Sequence, residues 1–316
     1  MTDNGGQWER DVITKLATAA LKEQRRSRLW GIFFKLLTFA YITVVILLVF
    51  DWKGADGAMV GKKHTALVDL NGTITATGDA SAEKIIASLQ AAFKDKNTQG
   101  VILRINSPGG SPVQSQTIYD EMRRLRQKYP EIPLYVVVED ICASGGYFVA
   151  VGADRIYVSR SSIVGSIGVL MNGFGFTGLM DKLGVERRLI TAGENKGMLD
   201  PFSPQRDKDK EYAQKLAEEI HQQFIAVVRE GRGKRLKETP DTFSGLIWSG
   251  DKSIQLGLAD AIGSLDSVAR DVIKAEDIVD YTQKDNFAEK VARRFGASAG
   301  AAVADFVLHA SPALLR

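Results

Sequence analysis

Cysteine is nearly absent from this chain of 316 residues. The only one is Cys142, so no intramolecular disulfide can form, and cysteine usage does not identify the cellular compartment. A cysteine nucleophile is disfavoured because Cys142 lies two residues before Ser144, and because a lone buried cysteine usually behaves as a small apolar side chain.

Histidine is also scarce, which limits the catalytic and metal-binding possibilities. His64 lies in a predicted linker, His221 on a predicted amphipathic helix and His309 in a predicted tail, so none follows a predicted strand. A Ser-His-Asp triad is therefore disfavoured. The chain has no His-x-x-x-His pattern, no paired cysteines, no dinucleotide-binding glycine pattern and no P-loop, so we expect no metal site and no cofactor. The net charge of +3 is too small to predict a nucleic-acid partner.

One long apolar run, residues 29–50, predicts a transmembrane helix. A helix of this length can cross the ~30 Å hydrocarbon layer of a bilayer. Its one charged residue, Lys35, lies near the N-terminal end, and Trp30 and Trp52 bracket the run as interfacial anchors. A cleaved signal peptide would have a shorter apolar core and a small-residue cleavage site. A buried core helix would not carry β-branched and aromatic residues on every face.

Basic residues on the N-terminal side of this run, one of them within its first part, predict its orientation. By the positive-inside rule, the N-terminal side stays in the cytoplasm, and the larger part of this single-pass protein lies outside the cytoplasmic (inner) membrane, which is the periplasm where a second membrane exists. The basic residues are Arg25, Arg26, Arg28 and Lys35. We expect a cytosolic tail at 1–28, a signal anchor at 29–50, a linker at 51–64, an extracytoplasmic domain at 65–275 and a C-terminal tail at 276–316.

The domain after the linker has an alternating strand and helix pattern. This alternation predicts an α/β fold with a mostly parallel sheet covered by helices. Glycine-rich turns at 106–112 and 142–146 follow two of the strands, at the sheet edge where ligand sites form. The predicted strands span 66–70, 100–105, 134–138 and 155–158. One predicted helix begins near Asp79 or Ser81, and a second lies around 118–125. Three more are predicted at 207–230, 252–258 and 264–275.

Ser144 occupies the second of these turns, between a buried strand and a short apolar helix. The first backbone N–H groups of a helix have no intrahelical partner and can stabilise an anion, so acyl-transfer chemistry would place a nucleophile here. The alternative is a helix-capping serine with glycines for close packing. The turn is not the Gly-x-Ser-x-Gly elbow of α/β-hydrolases, because Cys142 occupies the place of the first glycine.

With histidine disfavoured, a lysine is the remaining candidate for the general base. A lysine amine acts as a base when burial keeps it neutral. Lys196 lies in a turn between Gly193 and Gly197, just before apolar residues. Composition alone does not choose among the many lysines, and an exposed loop lysine is the alternative interpretation.

Four short motifs, in this order, resemble the bacterial signal peptide peptidase A (protease IV) family of serine peptidases, membrane-anchored proteins of the ClpP/crotonase-like fold. They are Arg-Ile-Asn-Ser-Pro-Gly-Gly at 104–110, Ala-Ser-Gly-Gly-Tyr at 143–147, Val-Gly-Ser-Ile-Gly-Val at 164–169, and Lys196 with Asp-Pro-Phe-Ser-Pro at 200–204. The chain has one copy of this unit and so resembles the short form of the family.

This resemblance implies a set of catalytic roles. Ser144 would be the nucleophile, Lys196 the general base, and Ser166 the group that orients the lysine amine. Backbone N–H groups of Gly109 or Gly110, and of Gly145, would form the oxyanion hole. Without the resemblance, Ser166 would be interpreted as an ordinary turn serine.

The resemblance also implies a substrate and an assembly. Substrates would be remnant signal peptides and other short hydrophobic peptides, and copies of the chain would assemble into a homo-oligomer that shares serine and lysine between copies. Two alternatives stay open: a non-catalytic membrane scaffold of the same fold, and a crotonase-like acyl-CoA hydrolase, which the extracytoplasmic location disfavours.

Overall fold

The computed structural model of the protein describes residues 5–49 and 62–283. They belong to two compact units, one that contains the N-terminal helix and one that comprises residues 61–285.

The N-terminal unit contains one continuous helix, α1 (Gly5–Val49). The polar residues before 29 and the apolar residues after it therefore belong to the same helix. Its stretch Thr14–Val44 is long and apolar enough to cross a membrane, and its apolar side chains are exposed within the unit. This observation is consistent with a single-pass membrane protein. Trp52 and most of the expected linker lie outside the described residues.

The second unit is an α/β domain, as the sequence pattern predicts. Its strands are β1 (His64–Asn71), β2 (Thr98–Ser107), β3 (Leu134–Ala143), β4 (Arg155–Val158), β5 (Ile163–Gly165), β6 (Ile247–Ser249), β7 (Ala261–Ile262) and β8 (Ile278–Asp280). Its α-helices are α2 (Ala82–Lys94), α3 (Pro112–Lys128), α4 (Gly145–Ala150), α5 (Thr177–Leu183), α6 (Asp207–Arg232), α7 (Gly250–Gln255) and α8 (Leu265–Ser267).

The strands form one mixed sheet in the order β6-β5-β3-β2-β1-β8, and β4 pairs with β3 and β7. All of these pairs are parallel except β5 with β6. The predicted fold class, a parallel-dominated α/β sheet with covering helices, is confirmed. Strand β3 runs five residues beyond the predicted end at 138, because its last residues, Ile141 to Ala143, pair with β5.

Helices cover the two faces of the sheet unequally. The main core lies between the sheet and α2, α3, α4 and α6, and its central strand positions are fully buried. A smaller cluster on the other face packs β1, β2, β3 and β4 against the helical segment that starts at Leu265. Because these parallel strands are buried on both faces, most of their residues are apolar, which explains the continuous apolar runs in the sequence.

The ordered domain extends beyond the expected boundary at residue 275. Strand β8 pairs with the first half of β1, and the backbone N–H of Gln283 donates to Ser88 Oγ (2.9 Å). The expected linker also ends earlier than residue 64, because His64 is buried as the first residue of β1. The later part of the expected tail, from residue 284, lies outside the described residues.

His64, Tyr281 and Asp95 form a hydrogen-bonded cluster at the start of β1. His64 Nδ1 donates to the carbonyl of Lys62 (2.9 Å), and Nε2 lies 3.0 Å from the Tyr281 hydroxyl. The Tyr281 hydroxyl donates to Asp95 (2.7 Å). Burial, together with the Asp95 bond and charge, raises the pKa of Tyr281 to about 12. The backbone N–H of Asn97, and then Tyr281, lower the pKa of Asp95 below its usual value. This cluster ties the residues after β8 to the entry of the domain.

We expect Tyr281→Phe to lower the free energy of unfolding by about 1–2 kcal/mol, because the variant removes the hydroxyl that Asp95 and His64 share. Chemical denaturation of the detergent-solubilised full chain measures this change. Tyr212→Phe is the control, since Tyr212 is 59% exposed. Equal stability of the two variants would contradict a stabilising role for this cluster.

Candidate active site

Ser144 connects β3 to α4 with a strained backbone. Its φ is 51° and its ψ is −123°, a conformation that costs a non-glycine residue on the order of 1–3 kcal/mol. Its backbone N–H donates to the carbonyl of Gly165 (2.9 Å). Its hydroxyl makes no capping hydrogen bond to α4, so the alternative interpretation as a helix-capping serine is not supported.

Ser166 lies beside Ser144 at the end of the neighbouring strand. Ala143 of β3 pairs with Gly165 of β5 in parallel register, so each serine is the next residue after a paired position. The φ of Ser166 is also positive, at 52°, and its backbone N–H donates to the carbonyl of Leu246 (2.7 Å). The structure therefore brings together two half-buried serines that the sequence separates by 22 positions.

The first glycine turn packs against the second, backbone to backbone. Gly109 and Gly110 have φ values of 99° and 151°. A Cβ at Gly109 would lie 2.6 Å from the nitrogen of Gly145, and one at Gly110 would lie 2.1 Å from the carbonyl oxygen of Ile74. Only glycine fits at either position, because both the backbone angle and the space exclude a side chain.

The three amides that the resemblance assigns to an oxyanion hole differ in whether they already donate a hydrogen bond. The N–H of Gly109 is occupied, because it donates to Ser107 Oγ (3.1 Å). Within residues 62–283, the N–H groups of Gly110 and Gly145 donate no hydrogen bond. A Cβ built on Gly145 would lie 3.2 Å from the Gly110 nitrogen, so the two free amides are neighbours. This arrangement suits an oxyanion better than one that includes Gly109.

Lys196 makes no hydrogen bond to any of these groups in the single chain. It belongs to an exposed turn, where its backbone N–H donates to Gly193 (3.1 Å). Among the described residues, its ammonium makes no hydrogen bond, and neither does the hydroxyl of Ser144. One copy of the chain therefore matches the alternative interpretation of an exposed loop lysine.

The segment that carries Lys196, residues 168–206, exposes many apolar side chains. Helix α5 has no buried residue, and Ile190 is 96% exposed. Phe176 stacks on Phe202, with ring centroids 5.4 Å apart, so part of the segment packs against itself. The other exposed apolar residues include Leu170, Met171, Phe174, Leu179, Leu183, Val185, Leu189 and Leu199. Exposed apolar side chains concentrated in one segment are typical of an interaction site.

The remaining reactive side chains near the turn have other partners. Cys142 is fully buried, and burial raises the pKa of its thiol, so the thiolate is suppressed. His221 on α6 donates from Nε2 to the carbonyl of Ile167 (3.1 Å). Among the described residues, no group of three or more His, Cys, Asp or Glu side chains could hold a metal ion.

Sequence reasoning missed two residues from distant parts of the chain that hold this site. The carbonyl of Leu246 fixes the Ser166 turn, and Ile74 bonds both sides of Gly110. Neither residue belongs to a motif, because each acts through its backbone. Ser107 stood inside the first motif, but the pattern gave no indication of its hydrogen bonds.

Comparison with known proteins agrees with this geometry. The family model described as Peptidase family S49 matches residues 126–279, and the Clp protease model matches residues 65–165. The chain is 33% identical over 242 residues to a candidate protease of Methanocaldococcus jannaschii, which covers 75% of this chain and 72% of that protein. It is 28% identical over 228 residues to a candidate signal peptide peptidase, SppA, of Enterococcus faecium, and the match covers 70% of this chain and 66% of that protein.

A further relative, which is not named as a protease, matches this chain over a smaller share of its own length than the two proteins above. The Na(+)/H(+) antiporter NhaA of Brucella abortus (strain 2308) is 45% identical over 209 residues, which is 65% of this chain and 28% of that protein. The chain thus spans less than a third of that relative, and the relative's name describes the longer protein. The match to the Methanocaldococcus protein, together with the two family models, shows that this chain belongs to peptidase family S49.

Proposed function

We propose that the protein is a membrane-anchored serine endopeptidase with a Ser-Lys dyad. The observation that carries this proposal is the pair of strained serines, Ser144 and Ser166, beside the free amides of Gly110 and Gly145. Strain of this kind persists at functional sites because the surrounding structure imposes it. Membership of a peptidase family supports the same chemistry.

In the proposed mechanism, Ser144 Oγ attacks the carbonyl carbon of the scissile peptide bond while the neutral Lys196 amine takes its proton. The carbonyl oxygen becomes an oxyanion that accepts hydrogen bonds from the Gly110 and Gly145 amides. The lysine then returns the proton to the leaving amine, which leaves an acyl-enzyme on Ser144. Water, activated by the same lysine, hydrolyses this ester and restores the serine. The hydroxyl of Ser166 orients the lysine amine.

The exposed position of Lys196 supports a base that is shared between copies of the chain. A general base must be neutral, and an amine in water is charged, so it needs a site from which water is excluded. The apolar segment around Lys196 is exposed in one copy and would be covered by a second. We therefore propose a homo-oligomer in which the lysine of one copy serves the serine of the next.

The proposed substrates are signal-peptide remnants and other short hydrophobic peptides. Apolar side chains flank the segment that carries the base, and a relative is named for signal peptides. Helix α1 supports a membrane anchor, and the basic residues that precede its apolar part support a cytoplasmic N-terminus with the peptidase domain on the extracytoplasmic side.

Covalent labelling tests this function directly. We expect a fluorophosphonate probe to modify Ser144 in the detergent-solubilised wild type, which also cleaves a hydrophobic peptide. Ser144→Ala abolishes both, while the control Ser161→Ala, an exposed serine, keeps both. Failure of the wild type to label or cleave would favour the scaffold, and turnover of an acyl-CoA thioester in place of the peptide would favour the hydrolase alternative.

A further inference from the structure

Ser107 is the last residue of β2 and is completely buried. Its hydroxyl donates to the carbonyl of Gly72 (2.6 Å) and accepts from the N–H of Gly109 (3.1 Å). One side chain therefore joins the end of β1 to the turn that contains Gly110. Both of its partners are backbone groups of glycines.

Ile74 holds the other side of the same turn. Its N–H donates to the carbonyl of Gly109 (2.9 Å), and its carbonyl accepts from the N–H of Ser111 (2.8 Å). Gly110 lies between these two bonds, and its own N–H donates no hydrogen bond to any described residue. Ile74 thus fixes the carbonyl of the peptide bond that joins Gly109 to Gly110, and Ser107 fixes the N–H of Gly109.

A glycine pair needs such restraints because glycine has more accessible backbone conformations than any other residue. The φ of 151° at Gly110 is one of many conformations that the free turn could adopt. Catalytic donors stabilise an oxyanion only if they are oriented before the charge develops. Loss of one restraint would therefore let the Gly110 N–H point in a wider range of directions, although the donor itself would remain.

We infer that Ser107 is a positioning residue that orients the Gly110 amide toward the oxyanion. This inference rests on the proposed function, since it assumes acyl transfer at Ser144. The hydroxyl acts through the Gly109 peptide and touches no reacting atom. The ground-state carbonyl of the substrate carries little charge, so Ser107 acts on the transition state more than on substrate binding.

The variant Ser107→Ala is expected to lower kcat for a hydrophobic peptide about 10-fold to 100-fold with KM nearly unchanged, less than the 10²–10³ that removal of an oxyanion donor costs. The inhibition constant of a peptide aldehyde, whose adduct with Ser144 carries the same oxyanion, should rise by the same factor. Ser107→Cys keeps a donor and an acceptor at this position, both weaker than those of the hydroxyl, so its kcat should lie between those of Ser107→Ala and the wild type.

Ser88→Ala is the matched control. Ser88 is also completely buried, donates to one backbone carbonyl (Lys84, 2.7 Å) and accepts from one backbone N–H (Gln283, 2.9 Å). It lies on α2, away from both glycine turns. Its variant should lose a similar amount of thermal stability and leave kcat and the aldehyde inhibition constant unchanged.

The outcomes separate this inference from the proposed function. If the wild type does not form a Ser144 adduct, the proposed function fails and the inference fails with it. If the wild type reacts and the two alanine variants have equal kcat, or if Ser107→Ala changes only KM, the role of Ser107 is overturned alone. Should Ser107→Ala not fold, Ser107→Cys decides the question by the same measurements.

Discussion

A mixture of the Ser144→Ala and Lys196→Ala variants is expected to recover peptidase activity that neither variant has alone. Each variant lacks one member of the proposed dyad, so each should lose activity by a factor of about 10⁴ or more. If every site combines the serine of one copy with the lysine of the next, an equal mixture contains about a quarter of its sites with both residues intact. The mixture should then show about that fraction of the wild-type rate.

The physical reason is the position of Lys196 in one copy of the chain. Its side chain is exposed, makes no hydrogen bond within the described residues, and lies in a segment whose apolar side chains are uncovered. A neighbouring copy that covers this segment would remove water from the amine. The experiment mixes the solubilised variants, allows subunits to exchange, and measures hydrolysis of a hydrophobic peptide.

Two controls make the result specific. The double variant Ser144→Ala/Lys196→Ala should restore nothing when it is mixed with either single variant, because no new pair can form. Lys182→Ala removes another exposed lysine from the same segment and should leave the rate unchanged. An inactive mixture whose subunits have been shown to exchange would place serine and lysine of one site in the same copy.

The second large effect is expected from Asp260→Asn, which should lower the free energy of unfolding by about 3–5 kcal/mol. Arg232 is 1% exposed and binds both carboxylate oxygens of Asp260 at 2.9 Å. Its Nε donates to the carbonyl of Gly257 (2.7 Å). Asparagine would leave the guanidinium buried without a countercharge. The free-energy cost of removing this charge from water would then not be offset by an ion pair.

The same pair predicts a dependence on pH. Burial alone would raise the pKa of Asp260, but the hydrogen bonds and charge of Arg232, and the N–H of Ile156, lower it overall below the ordinary value. The carboxylate therefore contributes stability that is fully present above its unfolded-state pKa of about 3.9 and is lost as the pH falls through its lower folded-state pKa. The stability difference between the wild type and Asp260→Asn should shrink over that acid range.

Denaturant unfolding of the solubilised full chain at several pH values measures both effects. Asp251→Asn is the control, since the Arg160–Asp251 pair spans 3.5 Å between exposed side chains and should contribute less than about 1 kcal/mol. The double variant Arg232→Met/Asp260→Asn should be more stable than Asp260→Asn, because no unpaired buried charge remains. If it is less stable, the uncompensated charge is not the cause of the loss.

The sequence alone predicts those parts of the fold and site that depend on local patterns. Apolar runs of β-branched residues mark the buried strands, and the small residues after β3 mark the turn at Ser144. Because parallel strands end at one edge of a sheet, the two glycine turns could be expected to meet. They do meet: a Cβ at Gly109 would lie 2.6 Å from the Gly145 nitrogen, and one at Gly145 would lie 2.5 Å from Ser115 Oγ, which explains glycine at each place.

Contacts between distant segments could not be predicted in this way. The sequence pattern places His64 in a linker, because nothing near it in the sequence indicates Tyr281, which lies 217 positions away. The short strand β8 has too few residues for a periodic pattern and forms only beside β1. The roles of Ser144, Lys196 and Ser166 stay a prediction, because in one copy of the chain the Lys196 amine makes no hydrogen bond to either serine.

The left-handed backbone at Ser144 and Ser166 has a consequence for how this protein could be made more stable. Each serine raises the free energy of the folded chain, since L-residues with side chains avoid positive φ. Glycine at either position would relieve that strain and so favour the folded state, yet it would delete the hydroxyl. Selection for heat resistance alone would therefore tend to remove these two serines. Stability in this domain is best increased far from the edge where β3 and β5 end.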